Sequence, residues 1–232
     1  LPMIRLILVS PVVEELERRR FDIRPVLESF SITRENFFNP DFWVPAAKMY
    51  GLFEAFAELT NDPYFGVRQG ELLNPWDWSP TARAAQKSAN VVEFLLRFMA
   101  DTQDDVNSCE YTLNTSGDRT TLHERRLSDG GTVPRHNDGY TITYLLSMIR
   151  GAVGKAWNGN SVLAQVCDPG VIPPGYLGIR SAKTDTLGAR ITFPTDWLLL
   201  PFGSDSRQQN SGLARAKKSP LPNIVDAFQF SI

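Results

Sequence analysis

The sequence predicts an α+β fold, with N-terminal helices packed against a small, mostly antiparallel sheet laid out as ββαββ. Three observations carry this. Apolar residues recur at three- and four-residue spacing through roughly the first hundred positions. After Asn107 the period drops to two on either side of Ser116-Gly117-Asp118, as in a hairpin. A further helical stripe then separates this hairpin from two later strand-like runs, so the helices precede the sheet instead of alternating with its strands.

Taken in order, Ser10 before Pro11 reads as an N-cap and first-turn pair, with Glu14, Glu15 and Glu17 early and Arg18, Arg19 and Arg20 late, as the helix dipole favours. Ile23, Val26, Leu27 and Phe30 fit a short helix opened by Asp22 and Pro25, and Thr33 can cap another turn through Phe38. From Pro45 to Thr60 the stripe Met49, Leu52, Phe53, Phe56 and Leu59 predicts a long helix stopped by Asn61-Asp62-Pro63. Asn90 with Glu93 suggests a capping box for a second, its buried face read as Val92, Leu95, Leu96, Met99 and Val106. Asn137 or Asp138 can cap a third, with Tyr144, Leu145, Met148, Ile149, Ala152 and Ala156 buried, Gly151 and Gly154 allowing close packing, and an end near Trp157-Asn158-Gly159. Strands are expected over about Ser161–Cys167 and Ala189–Phe193, with the Pro/Gly-rich run from Pro169 to Gly175 between them.

The composition bounds the function. A chain of 232 residues with 42% hydrophobic and 22% charged residues can bury a sizeable core, as a globular protein does. Its formal net charge of −2 offers a polyanion no general attraction. Cys109 and Cys167 sit far apart without a zinc spacing, so neither a disulfide framework nor a metal is expected. The run Ile4–Val9, interrupted by Arg5 and followed by glutamates, suits neither a signal peptide nor a membrane span, and a cytoplasmic protein is expected. The start at Leu1 suggests a fragment, unless Met3 marks the natural beginning.

Catalytic motifs are weak. Gly151-Ala152-Val153-Gly154-Lys155-Ala156 lacks the spacer and the hydroxyl residue of a phosphate loop, and no GxSxG, HExxH or GxGxxG pattern occurs. His123 and His136 read as surface hydrogen-bonding residues, and Asp101, Asp104, Asp105 and Glu110 as a solvated acidic face rather than a calcium site. Arg83, Arg125, Arg126, Arg135 and Arg150 could each grip a carboxylate or phosphate, but singly each reads as a surface or salt-bridge arginine. Trp76 and Trp78, in the Pro-bounded loop Asn74–Pro80, offer apolar area with a hydrogen-bond donor, and fit a core anchor or a pocket wall.

The stretch Phe56–Glu71, with Glu58-Leu59-Thr60, Asp62-Pro63 and Gly66, resembles the signature of the arabinose-binding N-terminal domain of AraC/XylS-type bacterial transcription regulators, the ornithine-regulator-like subgroup. Ser79-Pro80-Thr81 with the following helix, and Ala189–Pro194, are similar to further segments of that family, so the resemblance spans about residues 1–203. Two segments depart from it: the Asn74–Ser79 loop replaces a Gly-rich stretch, and 171–187 matches poorly. The resemblance implies an effector-binding and homodimerising domain over 1–203, then a Ser/Gln/Lys-rich linker over 204–232 leading to a helix-turn-helix domain that this chain does not contain. On that reading DNA is met only through the missing domain. No catalysis, cofactor, metal or membrane is expected. Loops vary where ligands vary. Trp76, Trp78, Arg83, Tyr140 and Tyr144 are therefore the candidate ligand-binding residues, for a small, mostly apolar organic effector with one polar end. The alternatives are a ligand-free dimerisation or protein-interaction module, and a small enzyme with an unrecognised site.

Overall fold

The computed structural model describes residues 1–103, 106–128 and 131–202. Helices come first: α1 (Ser10–Arg18), α2 (Arg24–Ser29), α3 (Ala46–Thr60), α4 (Phe65–Glu71), α5 (Ser79–Lys87) and α6 (Val91–Thr102). A two-stranded ribbon of β1 (Met3–Arg5) and β2 (Trp43–Pro45) is set among them. The hairpin β3 (Cys109–Ser116) and β4 (Arg119–Arg126) follows, then α7 (Arg135–Val153) and the strands β5 (Leu163–Val166), β6 (Arg180–Lys183) and β7 (Arg190–Pro194). The larger sheet runs β3-β4-β7-β5-β6, antiparallel throughout except for the parallel pair β5–β6.

The expected α+β architecture is present, with differences that have local causes. Three strands follow α7, not two. The additional β6 has the sequence Arg180-Ser181-Ala182-Lys183, which lacks apolar alternation because it is a largely exposed edge strand. Ser10 is the first helical residue of α1 and Val9 its cap, with no side-chain capping bond. Thr33 and Asn36 do form a reciprocal capping box, and α3 stops at Asn61, which takes the left-handed conformation at φ 49°.

In α6, Asn90 caps by accepting from the Glu93 N–H at 2.9 Å. The buried face is Val91, Phe94, Leu95 and Phe98. This corrects the expected stripe: Leu96 is 53% exposed, and the helix ends at Thr102 instead of running on to Val106. Helix α7 begins two residues before the expected caps, so Asn137 and Asp138 lie inside its first turn, and it ends at Val153 with Ala156 exposed. Gly151 does allow close packing, whereas nothing lies against Gly154, whose φ of +56° instead ends the helix. Of the acidic cluster, Asp104 and Asp105 lie outside the described residues, Asp101 pairs with Arg83, and Glu110 pairs with Arg125.

Two apolar cores result. One gathers Leu6, Val13, Leu16, Phe37, Leu52, Phe53, Phe56 and Phe65 from the N-terminal helices. The other sets the α6 stripe and Leu145, Met148 and Ile149 of α7 against Leu122, Ile191 and Phe193 on the inner face of the sheet. Helix α7 serves both, because its N-terminal half lies on α3 and α4 and its C-terminal half faces the sheet. No helix among the described residues is long and apolar enough to cross a membrane.

Candidate functional site

Trp76 and Trp78 are positioned by a single turn. Asn74 accepts from the Trp76 N–H at 3.4 Å and opens the short 3-10 turn Pro75–Asp77, and Trp78 then caps α5 in an extended conformation. Both indoles are thereby directed between α6 and α7. Trp76 lies 5.8 Å from Phe94. Trp78 meets Phe98 at 6.0 Å and Tyr144 at 5.7 Å, both edge to face. On the sheet side Phe98 also meets Tyr111 at 5.2 Å. The indoles are half-buried, so the rings form a wall that still reaches the surface.

The polar element of this cluster is neutral. The Tyr144 hydroxyl is hydrogen-bonded to Thr81 Oγ1 and lies 3.4 Å from the Pro75 carbonyl. With its one proton given to Pro75, it accepts from Thr81. Burial pushes the Tyr144 phenol well above its ordinary range, with the Thr81 bond opposing, so it stays protonated as a donor and acceptor and does not become a base. The arrangement suits a molecule with apolar, ring-stacking surface and one hydrogen-bonding group.

The other two predicted residues sit differently. Arg83, 43% exposed, reaches back along α5 to Ser79 Oγ at 2.6 Å and across to Asp101 on α6 at 3.4 Å. It flanks the loop bearing the indoles, but its charge is already engaged. Tyr140, one turn before Tyr144, packs against Phe53 at 5.0 Å and donates to the Leu8 carbonyl at 3.2 Å, joining α7 to the N-terminal core. The structure thus brings Trp76, Trp78 and Tyr144 together and places Tyr140 elsewhere. Sequence reasoning missed Phe94 and Phe98, although their spacing with Val91 and Leu95 is a regular helical stripe.

A second polar group, also missed, lies where the two cores meet. Arg126 reads as a surface arginine but is buried: it pairs with Asp138, donates to the Thr186 carbonyl at 3.1 Å and stacks over the Tyr50 ring at 5.0 Å. Asp138 does not cap α7; its other oxygen accepts the Cys167 N–H at 2.8 Å. Glu124, beside them, has its carboxyl raised chiefly by burial. His136 is buried rather than on the surface, and burial lowers its pKa; its Nδ1 faces the Gly66 N–H at 3.4 Å, so the neutral ring can accept there. Arg126 and Asp138 hold one another, while Glu124 faces the Ala189 N–H and His136 the Gly66 N–H, which is the pattern of a structural network. Among the described residues no three metal-ligating side chains come together.

Comparison with known proteins agrees with this architecture. No curated protein matches the chain. The crystal structure of the transcriptional regulator CdpR from Pseudomonas aeruginosa is 16% identical and superposes over 79% of this chain and 57% of that one, with a TM-score of 0.52, so the fold is shared. The chain therefore spans little more than half the length of that regulator. The family described as the arabinose-binding domain of AraC transcription regulators, N-terminal, matches residues 21–168, from just before α2 to just past the end of β5. It is to this family of regulatory effector-binding domains that the chain belongs.

Proposed function

We propose that this domain binds a small, mostly apolar organic effector against Trp76, Trp78 and Tyr144, and that binding biases a DNA-reading domain attached after it. The observation that supports this best is the packing of both indoles of the Asn74–Ser79 loop between α6 and α7, Trp76 on Phe94 and Trp78 on Phe98 and Tyr144, with the Thr81–Tyr144 hydroxyl pair as the polar end. An acid-bearing effector would compete with Asp101 for Arg83. The site regulates only if its affinity differs between two states of the protein, since a ligand that binds both equally shifts nothing. On this reading the protein works in the cytoplasm as a homodimer and performs no catalysis. The second reading, a ligand-free association module, draws on the exposed Leu72, Leu96 and Leu199.

Thermal melting with a panel of small aromatic and aliphatic compounds separates the two. A compound that raises the melting temperature should lose most of that effect in Trp78→Ala, while the ligand-free melting temperature falls by only a few degrees. A large fall in the ligand-free value with the ligand response intact would make Trp78 a core anchor and remove the loop from the site.

A further inference from the structure

After β7 the chain passes through the 3-10 turn Thr195–Leu199 and crosses the start of α6. There it is strapped down: the Val91 N–H donates to the Leu200 carbonyl at 3.0 Å, the Phe202 N–H donates to the Ala89 carbonyl at 2.9 Å, and Pro201 bridges Asn90 in antiparallel fashion. Phe202 then lays its ring on Phe94 at 4.6 Å, with the planes 23° apart, and meets Trp76 edge-on at 6.0 Å. It is only 6% exposed. Behind Trp76 stands Gly151 of α7, where an added Cβ would come within 2.5 Å of the indole. Trp76 is therefore backed by one helix and faced by a ring that the exit segment supplies. Phe202 and Phe98 both stack on Phe94, so the exit segment and the Trp78–Tyr144 cluster share one aromatic column.

We propose that Phe202 occupies an aromatic-ring subsite of the effector site, and that a flat aromatic group seated against Trp76 and Phe94 takes its place and frees the Leu200–Phe202 strap. This rests on the effector reading above. A tethered side chain competes at an effective concentration of about the millimolar range, so a free ring must outbind a built-in rival of that strength. Released, the strap gives up its two backbone hydrogen bonds and its bridge to the α6 entry, so Leu200–Phe202 leave the start of that helix. Ring shape is the selective feature, because one face stacks on Phe94 while the edge meets an indole.

The test uses the 232-residue chain with indole as the flat probe and cyclohexanol as the non-planar control, read by calorimetric titration and by hydrogen exchange at the Val91 amide. Phe202→Ala should bind indole at least about tenfold more tightly than the natural chain, with Phe202→Leu in between and no such gain for cyclohexanol. In the natural chain, saturating indole should speed exchange at Val91, whose partner Leu200 departs. Equal indole affinity in the natural chain and both variants would overturn the subsite. Phe202→Leu keeps most of the apolar volume and carries the same comparison if the alanine variant does not fold. A compound that stabilises the natural chain through Trp78 but leaves Val91 exchange and Phe202→Leu affinity unchanged removes the strap and keeps the effector reading. Tight indole binding by Phe202→Ala, with no compound stabilising the natural chain and no faster exchange at Val91, would mark only the hole that the substitution leaves and would overturn the subsite together with the effector reading.

Discussion

Arg126 shows how one side chain can set the terms for its surroundings. It projects from the inner face of β4, where the alternation Thr120, Leu122, Glu124, Arg126 puts two charged residues on the buried side. Moving a guanidinium out of water is costly, and here the offset comes from Asp138, the Thr186 carbonyl and the Tyr50 ring face. Replacing it leaves Asp138 and Glu124 facing one another without a cation. Arg126→Leu should therefore lower the unfolding free energy by about 3–5 kcal/mol, a large share of the roughly 5–15 kcal/mol typical of a domain. Adding Asp138→Asn to that variant should restore part of the loss, because one stranded charge is gone. Urea denaturation checks both, and a single-variant loss below about 1 kcal/mol would show that the network contributes little. Nothing in sequence spacing marks this arginine as different from Arg125, its neighbour, which points outward to Glu110. Only the sheet register separates them.

Between helices, α4 packs closely against α7. A Cβ on Gly66 would lie 1.9 Å from the His136 carbonyl oxygen, and one on Gly70 would lie 2.8 Å from the Tyr140 carbonyl oxygen. At Gly66 the obstacle is main chain alone, which cannot swing aside as a side chain can, and at Gly70 the Thr143 Cβ stands as close, at 2.7 Å. Gly66→Ala should therefore cost about 3 kcal/mol, at the upper end of the overpacking range, and calorimetry should find a lowered melting temperature. A variant that melts with the parent would mean that α4 slides freely on α7. These two glycines, four residues apart, fall inside the stretch that carries the family resemblance, but as bare letters they specify no contact. What the sequence did make legible was whatever local chemistry determines: the α3 stripe with its Asn61 stop, the Asn90 cap, and the hairpin around Gly117-Asp118. Elements held by distant partners were not legible. β1 and β2 are three residues each and pair across the whole of α1 and α2, and β6 shows no alternation because it is an exposed edge. The site was half legible for the same reason. Trp76 and Trp78 stood out by composition and by departing from the family pattern, whereas Phe94 was hidden by the choice of a neighbouring stripe and Phe202 lay at the edge of the expected linker, although both complete the same cluster.

At the scale of the molecule, charge decides what the domain can meet without help. The formal net charge is −2, and the arginines that could form a positive surface are largely answered locally. Arg24, Arg34, Arg83, Arg97, Arg125 and Arg190 each have a carboxylate oxygen within 3.4 Å. A guanidinium held by an adjacent Asp or Glu releases few counterions from a phosphate backbone, because its own partner must be displaced first. The outer face of the sheet alternates such paired arginines with Thr121 and Thr192, which are bonded to one another at 2.8 Å. The 232-residue chain should therefore show neither sequence-selective duplex binding nor the steep salt dependence of a multi-phosphate contact. Fluorescence anisotropy with a labelled duplex at about 50 and about 200 mM salt measures both, since a protein making several phosphate contacts would lose orders of magnitude in affinity across that interval. A salt-resistant, sequence-selective complex would place the DNA-reading surface on this domain and undo the division of labour proposed for it. Weak binding that vanishes at the higher salt would indicate only that some ion pairs open, and would leave the proposed division of labour standing.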